Sequence, residues 1–351
     1  YCHENSVRVY VTCNTLPRCD EIERLPPFLR HCARIGVDAL IVADLGVLAL
    51  AREHAPGVEL HVSTQTGVVN HAAARQLYEL GAGRVVLARE LTLREIARIR
   101  EKAPPQLELE AFVHGAMCMS VSGRCVLSNY LAGRDANRGE CAQPCRWNYR
   151  LVEEKRPGEY LPVFEDEAGS TILSAKDLCM IEHIDKMAQA GVCSLKIEGR
   201  AKSAYYVAVA ANAYRAAADL YAADPDHYQC PGWLLEEMQR LSHREYSTGF
   251  YFGRPEAGQS CQPYIRQWDV AAAVLGWEDG WLICRQKNHL RVGEAVELLE
   301  PGGPPSAFTV ERIVDEAGGD QPAAPHPHQL FRVPLARPVR PGSLLRRRAR
   351  E

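Results

Sequence analysis

Short apolar segments alternate with amphipathic helical stretches along most of this sequence, and that alternation limits the possible fold more than any other feature. Strand patterns fall at 8–12, 39–43, 59–63, 84–88, 108–113, 171–174 and 194–197. Helix signals lie between them. Pro26 and Pro27 suit a first helical turn. Thr92 and Glu95 form a capping box. Gly81 stands just past the helical pattern 71–80, and Ser203 can cap 205–221. Regular β-α alternation predicts a parallel sheet with helices outside. Seven strands are one short of the eight that close such a barrel. The expectation is therefore a TIM-like (β/α) barrel lacking its first β-α unit, with an open doubly wound sheet as the alternative. No Gly-x-Gly-x-x-Gly follows a strand, which leaves dinucleotide binding unsupported.

The pattern changes near Tyr246. Short β-like pieces at 270–277, 281–285, 295–299, 308–314 and 329–334 are separated by Gly- and Pro-rich turns, the signature of a small all-β domain. The expected domains are 1–245, with a cysteine-rich insertion at 115–170, and 246–351. The basic run Arg346-Arg-Arg-Ala-Arg350 reads as a solvated end.

A formal net charge of -3 over 351 residues argues against a broad cationic platform but leaves room for a local basic groove. No apolar run approaches the roughly 18 residues of a membrane span. An odd total of 13 cysteines without a secretory signal pattern speaks against a disulfide framework. A reducing cytoplasm is the expected location.

Five cysteines carry the chemistry, spaced Cys118-x6-Cys125-x15-Cys141-x3-Cys145 and then Cys179. Four thiolates from a Gly- and Arg-rich loop are what an iron–sulfur cluster needs. Cys141-x3-Cys145 alone would suit zinc, whereas the six-residue gap after Cys118 does not. Asp177 reads as an N-cap, which would put Cys179 in a helix's first turn, where the dipole favours a thiolate. Cys13, Cys32, Cys193 and Cys284 read as core residues.

Period two sorts the strands by face. Glu110, Phe112 and His114 share one face, as do Ser194, Lys196 and Glu198, and His61, Ser63 and Gln65. With helices outside, these sets point inward, and polar residues at carboxyl strand ends are where such barrels place active sites. Lys196, Glu198, Arg200 and His114 are the candidates. Arg124, Arg134, Arg138 and Arg146 in the cysteine window suit carboxylate or phosphate ligands. There is no phosphate-binding Gly-x-x-x-x-Gly-Lys loop, no His-Glu-x-x-His and no Gly-x-Ser-x-Gly.

The run Glu110-Ala-Phe-Val-His-Gly-Ala-Met-Cys118-Met-Ser-Val-Ser-Gly-Arg-Cys125-Val-Leu-Ser128 resembles the signature of peptidase family U32, the collagenase-like family. So do 134–146, 174–179, 194–200 and the Tyr246-Ser-Thr-Gly-Phe-Tyr-Phe-Gly segment. Despite that name, the resemblance implies an oxygen-independent hydroxylase with a 4Fe-4S cluster. One branch forms 5-hydroxyuridine in tRNA with prephenate required, and the small C-terminal β-domain is similar to that branch. By position, Cys118, Cys125, Cys141 and Cys179 are the implied ligands, with Cys145 competing for one place. Lys196, Glu198 and Arg200 are the implied catalytic residues, and His114, Arg138 and Lys176 the implied substrate-binding ones. The implied partners are tRNA, prephenate and an electron or oxygen donor the sequence does not identify, with no membrane. Other readings are a quinone-ring hydroxylase subunit, a U32-type protease and a non-catalytic iron–sulfur RNA-binding protein.

Overall fold

The computed structural model describes residues 1–117, 125, 127–144, 147, 150–151, 161–162, 176–200, 202–253 and 265–349. Its contacts divide the chain into two compact units. One comprises 1–198 with 245–262, the other 199–244 with 263–351.

The first unit is built on a sheet whose early strands are parallel and paired in chain order. These are β1 (Tyr10–Cys13), β2 (Ala39–Val42), β3 (Glu59–Val62), β4 (Arg84–Val86) and β5 (Glu108–Gly115). Every residue of β2 is buried, as in a parallel strand covered on both faces. The helices between them start and stop where local chemistry dictates. Leu25–Arg34 has proline in its first turn, and Thr92 caps Leu93–Lys102 by accepting from the Glu95 N–H while the Glu95 carboxylate reaches back. Gly81, at φ +103°, ends the helix His71–Glu79 in a left-handed conformation open to glycine.

Beyond β5 the sheet departs from simple alternation. Ser194–Ile197 pairs parallel with β5, while Asp177–Cys179 runs antiparallel against the last residues of β5 and parallel to Tyr246–Ser247. Among the described residues the pairing path is open, with β1 bonded to β2 alone. Among the described residues the structure thus shows a mixed, largely parallel α/β sheet and no closed (β/α) barrel. The strand expected at 171–174 lies outside the described residues.

Cys179 needs correction. Asp177–Cys179 is a buried strand, not a helix start, and Asp177 is no N-cap. The extended end of β5 offers backbone partners to this segment, and three successive buried residues gain more from the sheet than from a solvated first turn.

The second unit joins a helical pair, Ala204–Ala223 and Gly232–Gln239, to an antiparallel sheet. Ser203 caps the first helix by accepting from the Tyr206 N–H. Trp268–Glu278 lies between Trp281–Gln286 and Leu344–Arg348, over a core that includes Leu282, Val296, Phe331 and Leu345. The basic run at the end of the chain is therefore not a frayed tail. Its first three residues belong to strand Leu344–Arg348, and Arg346 is fully buried. No helix among the described residues is long and apolar enough to cross a membrane.

Candidate functional site

The inward faces assigned by period two converge on one polar layer in the first unit. Glu110, from β5, is its hub. The carboxylate accepts from Lys196 Nζ at 2.7 Å, from Ser194 Oγ at 2.9 Å and from Arg84 Nη1 at 3.1 Å. Arg84 also donates through Nε to Glu108 at 2.7 Å, and its guanidinium lies 5.4 Å from the Tyr10 ring centre. His61, fully buried on β3, packs edge-on against the same tyrosine at 4.8 Å.

Electrostatics in this layer follow from burial and pairing together. Burial alone would raise the Glu110 carboxyl, yet Lys196, Ser194 and Arg84 hold it below the usual carboxylate range. His61 is pushed down, first by burial and then by the Arg84 charge, so its neutral form is favoured. The pairing raises Arg84 further above its ordinary value despite its burial. Glu110 and Lys196 are thus held as a fixed ion pair, and the Lys196 side chain keeps 27% of its surface exposed.

Toward the carboxyl end of β5 the geometry becomes irregular. A register shift between Phe112 and His114 marks a bulge against Ser194–Ile197. His114 is fully buried, opposite Cys179 on one side and Ile197 on the other, with its ring 5.5 Å from that of Tyr246. Gly115 follows at φ +114°, and a Cβ there would stand 2.6 Å from the Glu198 carbonyl oxygen. Gly115→Ala is expected to cost about 1–3 kcal/mol through backbone strain and to displace Glu198. Denaturant unfolding against Gly83→Ala, at a glycine without positive φ, checks this.

The expected site residues are brought together only in part. Lys196 shares the polar layer with Glu110, and Glu198 is placed by its N–H donating to the His114 carbonyl at 2.9 Å. Arg200 is exposed and belongs to the second unit. Arg138 points its fork at Glu21, with Nη2 2.9 Å from Oε2, and this pairing lowers the Glu21 carboxyl to about 2. Lys176 lies 3.3 Å from Glu245. Arg84 and Tyr251 did not stand out in the sequence. An arginine opening a strand otherwise made of valines was the available signal for the first. The second lies in the Tyr246-Ser-Thr-Gly-Phe-Tyr-Phe-Gly segment, but nothing local marks the partner of its hydroxyl, which reaches the Phe112 carbonyl across 139 positions of chain.

Among the thiols, Cys118 and Cys145 lie outside the described residues, as do Arg124 and Arg146. Cys125, Cys141 and Cys179 are partly exposed, exposed and buried respectively. Cys141 Sγ accepts from the Gln143 N–H at 3.3 Å. Ser128, fully buried, steadies the same loop by accepting from the Ala142 N–H at 2.9 Å. No group of three or more His, Cys, Asp or Glu side chains is gathered for a metal among the described residues. The donor chemistry suits a thiolate-bound cluster, while the described residues do not themselves assemble one. Burial pushes the Cys13 thiol up to about 11 and raises Cys32 and Cys284 too, as expected of core residues. Cys193 is exposed, contrary to the core expectation, because it precedes the strand Ser194–Ile197 rather than sitting within it.

Comparison with known proteins places this geometry. A model described as peptidase family U32 matches residues 1–260, and one described as the peptidase family U32 C-terminal domain matches 266–346. The chain is 36% identical over 347 residues to tRNA hydroxylation protein P1 of Bacillus subtilis (strain 168), covering 97% of this chain and 81% of that protein. It is 35% identical over 378 residues to tRNA hydroxylation protein P of Escherichia coli (strain K12), covering 92% and 80%. A protein named collagenase from Porphyromonas gingivalis (strain ATCC BAA-308 / W83) is 35% identical over 263 residues, covering 72% and 61%. The chain belongs to peptidase family U32.

Proposed function

We propose that this chain is a tRNA-modifying enzyme that hydroxylates a uridine to 5-hydroxyuridine, without molecular oxygen and with prephenate required. One observation carries the reading: proteins named for tRNA hydroxylation match nearly the whole chain, second unit included. The two tRNA hydroxylation proteins of Bacillus subtilis and Escherichia coli named above cover 97% and 92% of the chain, against 72% for the collagenase-named relative.

Cys118, Cys125, Cys141 and Cys179 would hold a 4Fe-4S cluster, and when bound it would supply redox or Lewis-acid chemistry. The remaining work falls to the chain's own side chains. Lys196 presents an immobilised positive charge, because Glu110 holds its ammonium in place before any ligand arrives. That charge suits a carboxylate or phosphate oxygen. Glu198, anchored through its backbone to β5, is the group assigned to move a proton. A closed (β/α) barrel would set both at carboxyl strand ends.

The test is to express the chain in a bacterium lacking its own tRNA uridine hydroxylases and to analyse digested tRNA nucleosides by mass spectrometry. A uridine one oxygen heavier is expected with the intact chain, and its loss in Cys118→Ser and in a prephenate-deficient host. Unmodified tRNA, together with peptide cleavage by the purified chain, would replace this reading with proteolysis.

A further inference from the structure

We propose that Arg89 is an anion-binding residue at the carboxyl end of β4, taking a carboxylate or phosphate oxygen of the substrate. The inference starts from where each cation near the site finds its counter-charge. Arg84 faces Glu108 and Glu110, Lys196 faces Glu110, Arg138 faces Glu21, and Lys176 faces Glu245. Arg89 faces no carboxylate among the described residues.

Its guanidinium is nonetheless fixed. It stacks on the Phe112 ring at 3.8 Å from the ring centre, and Nη1 donates to the Ala116 carbonyl at 2.7 Å. Phe112 is itself held, since Tyr251 Oη donates to its carbonyl at 2.5 Å. Lys196 Nζ lies 5.7 Å from the centre of the same ring, so two cations share one aromatic face or edge. The Arg89 Nε is buried without an acceptor among the described residues. A guanidinium that is immobilised and keeps a buried, unpaired Nε donor is preorganised for an oxygen anion, because its ordering is complete before the ligand arrives.

Position supports the same reading. Arg89 lies three residues beyond β4, and its partner Ala116 directly follows β5, so it stands at the strand ends that carry His114 and precede Cys118. A purely structural arginine that only ties down Ala116 would need the one hydrogen bond, and a neutral amide could supply it. The charge would then be dispensable.

The proposal rests on the tRNA-hydroxylation reading only for the choice of RNA as a probe. Binding of malonate, as a small dicarboxylate, and of unfractionated tRNA would be measured by calorimetry at one fixed salt concentration. The full-length chain would be compared with Arg89→Gln, Arg89→Lys and the exposed control Arg337→Gln. Saturable malonate binding is expected in the wild type and the control. A loss of at least tenfold, about 1.4 kcal/mol, is expected in Arg89→Gln, with Arg89→Lys between. The same loss for tRNA alone would assign the anion to a phosphate and still support the proposal. Wild-type affinity for both probes in Arg89→Gln, or no saturable binding of either by the wild type, would overturn it. Should Arg89→Gln fail to fold, the lysine variant decides: unchanged affinity for both probes sinks the fork, a loss supports it. None of these readings needs turnover, so a chain that binds anions yet leaves tRNA unmodified would refute the hydroxylase reading alone.

Discussion

Glu110→Ala is expected to destabilise the first unit by about 3–5 kcal/mol, because it strips Arg84 and Lys196 of a buried counter-charge. That is a large share of the roughly 5–15 kcal/mol that holds a domain folded. Glu110→Gln keeps the volume and an acceptor for Ser194 but not the charge, and should fall between. The double variant Glu110→Ala/Lys196→Met should recover part of the loss, since it removes one orphaned cation along with the anion. Denaturant unfolding of the wild type, Glu110→Ala, Lys196→Met and the double variant as a double-mutant cycle measures the coupling directly. A cost below about 1 kcal/mol for Glu110→Ala would match an exposed pair and would mean that water replaces the carboxylate.

The same layer sets an acid limit with a definite order. Folding lowers the Glu110 carboxyl, so its contribution is complete above the unfolded value of about 4.3 and is lost as pH falls toward the folded value. Folding also lowers His61, which means the unfolded chain binds that proton more readily. The penalty from His61 therefore begins below about pH 6.5, ahead of the loss at Glu110. His61→Gln should flatten the stability profile between those two values and leave the steeper fall below them. Urea midpoints across that pH range are the measurement.

The second large effect is expected in the other unit. Arg346 is fully buried and makes two hydrogen bonds to Glu237, at 2.7 and 2.5 Å, with a third through Nε to Glu297 at 2.9 Å. Tyr205 Oη lies 3.3 Å away, and the Trp268 ring centre is 5.3 Å from the guanidinium carbon. Arg346→Met should cost about 3–5 kcal/mol by leaving Glu237 buried with only part of its compensation. Arg240 also pairs with Glu237 at 2.5 Å and with Glu297 at 3.3 Å, so the loss should fall short of complete unfolding. Arg346→Lys should rescue little, since a point-like ammonium cannot bridge two carboxylates as a fork does. Calorimetry should show the transition of the second unit moved down while that of the first stays in place. If Arg346→Met melts like the wild type, the buried charge network does not hold the helical pair to the sheet.

How far the molecule was legible before its structure depends on the range of each interaction. The Thr92–Glu95 cap, the Gly81 stop and the Ser203 cap are settled within four residues, and all three read true. The faces of β5 and of Ser194–Ile197 follow from the pleat. Glu110 and Lys196 were therefore known to share a side before they were known to touch. The residue runs around the cysteines, Glu110–Ser128 first among them, resembled a family without any geometry at all. In contrast, Cys179 was placed on a helix because Asp177 looks like a cap when only its neighbours are read.

What the sequence determined alone is what repeats locally. Strand and helix periods, turn glycines, capping residues and the all-β character of the C-terminal portion are written into short windows, since backbone sterics and side-chain alternation act over a few residues. Tertiary structure alone decided which strand captures which. Asp177–Cys179 lies against β5, some sixty positions upstream. Arg84 meets Ser194 Oγ across 110 positions, and Arg346 meets Glu237 across 109. Those pairings turn a basic tail into a buried strand and leave Arg89 without a carboxylate among the described residues. They are choices among distant partners, made by burial and charge balance over the whole unit, and no local pattern records them.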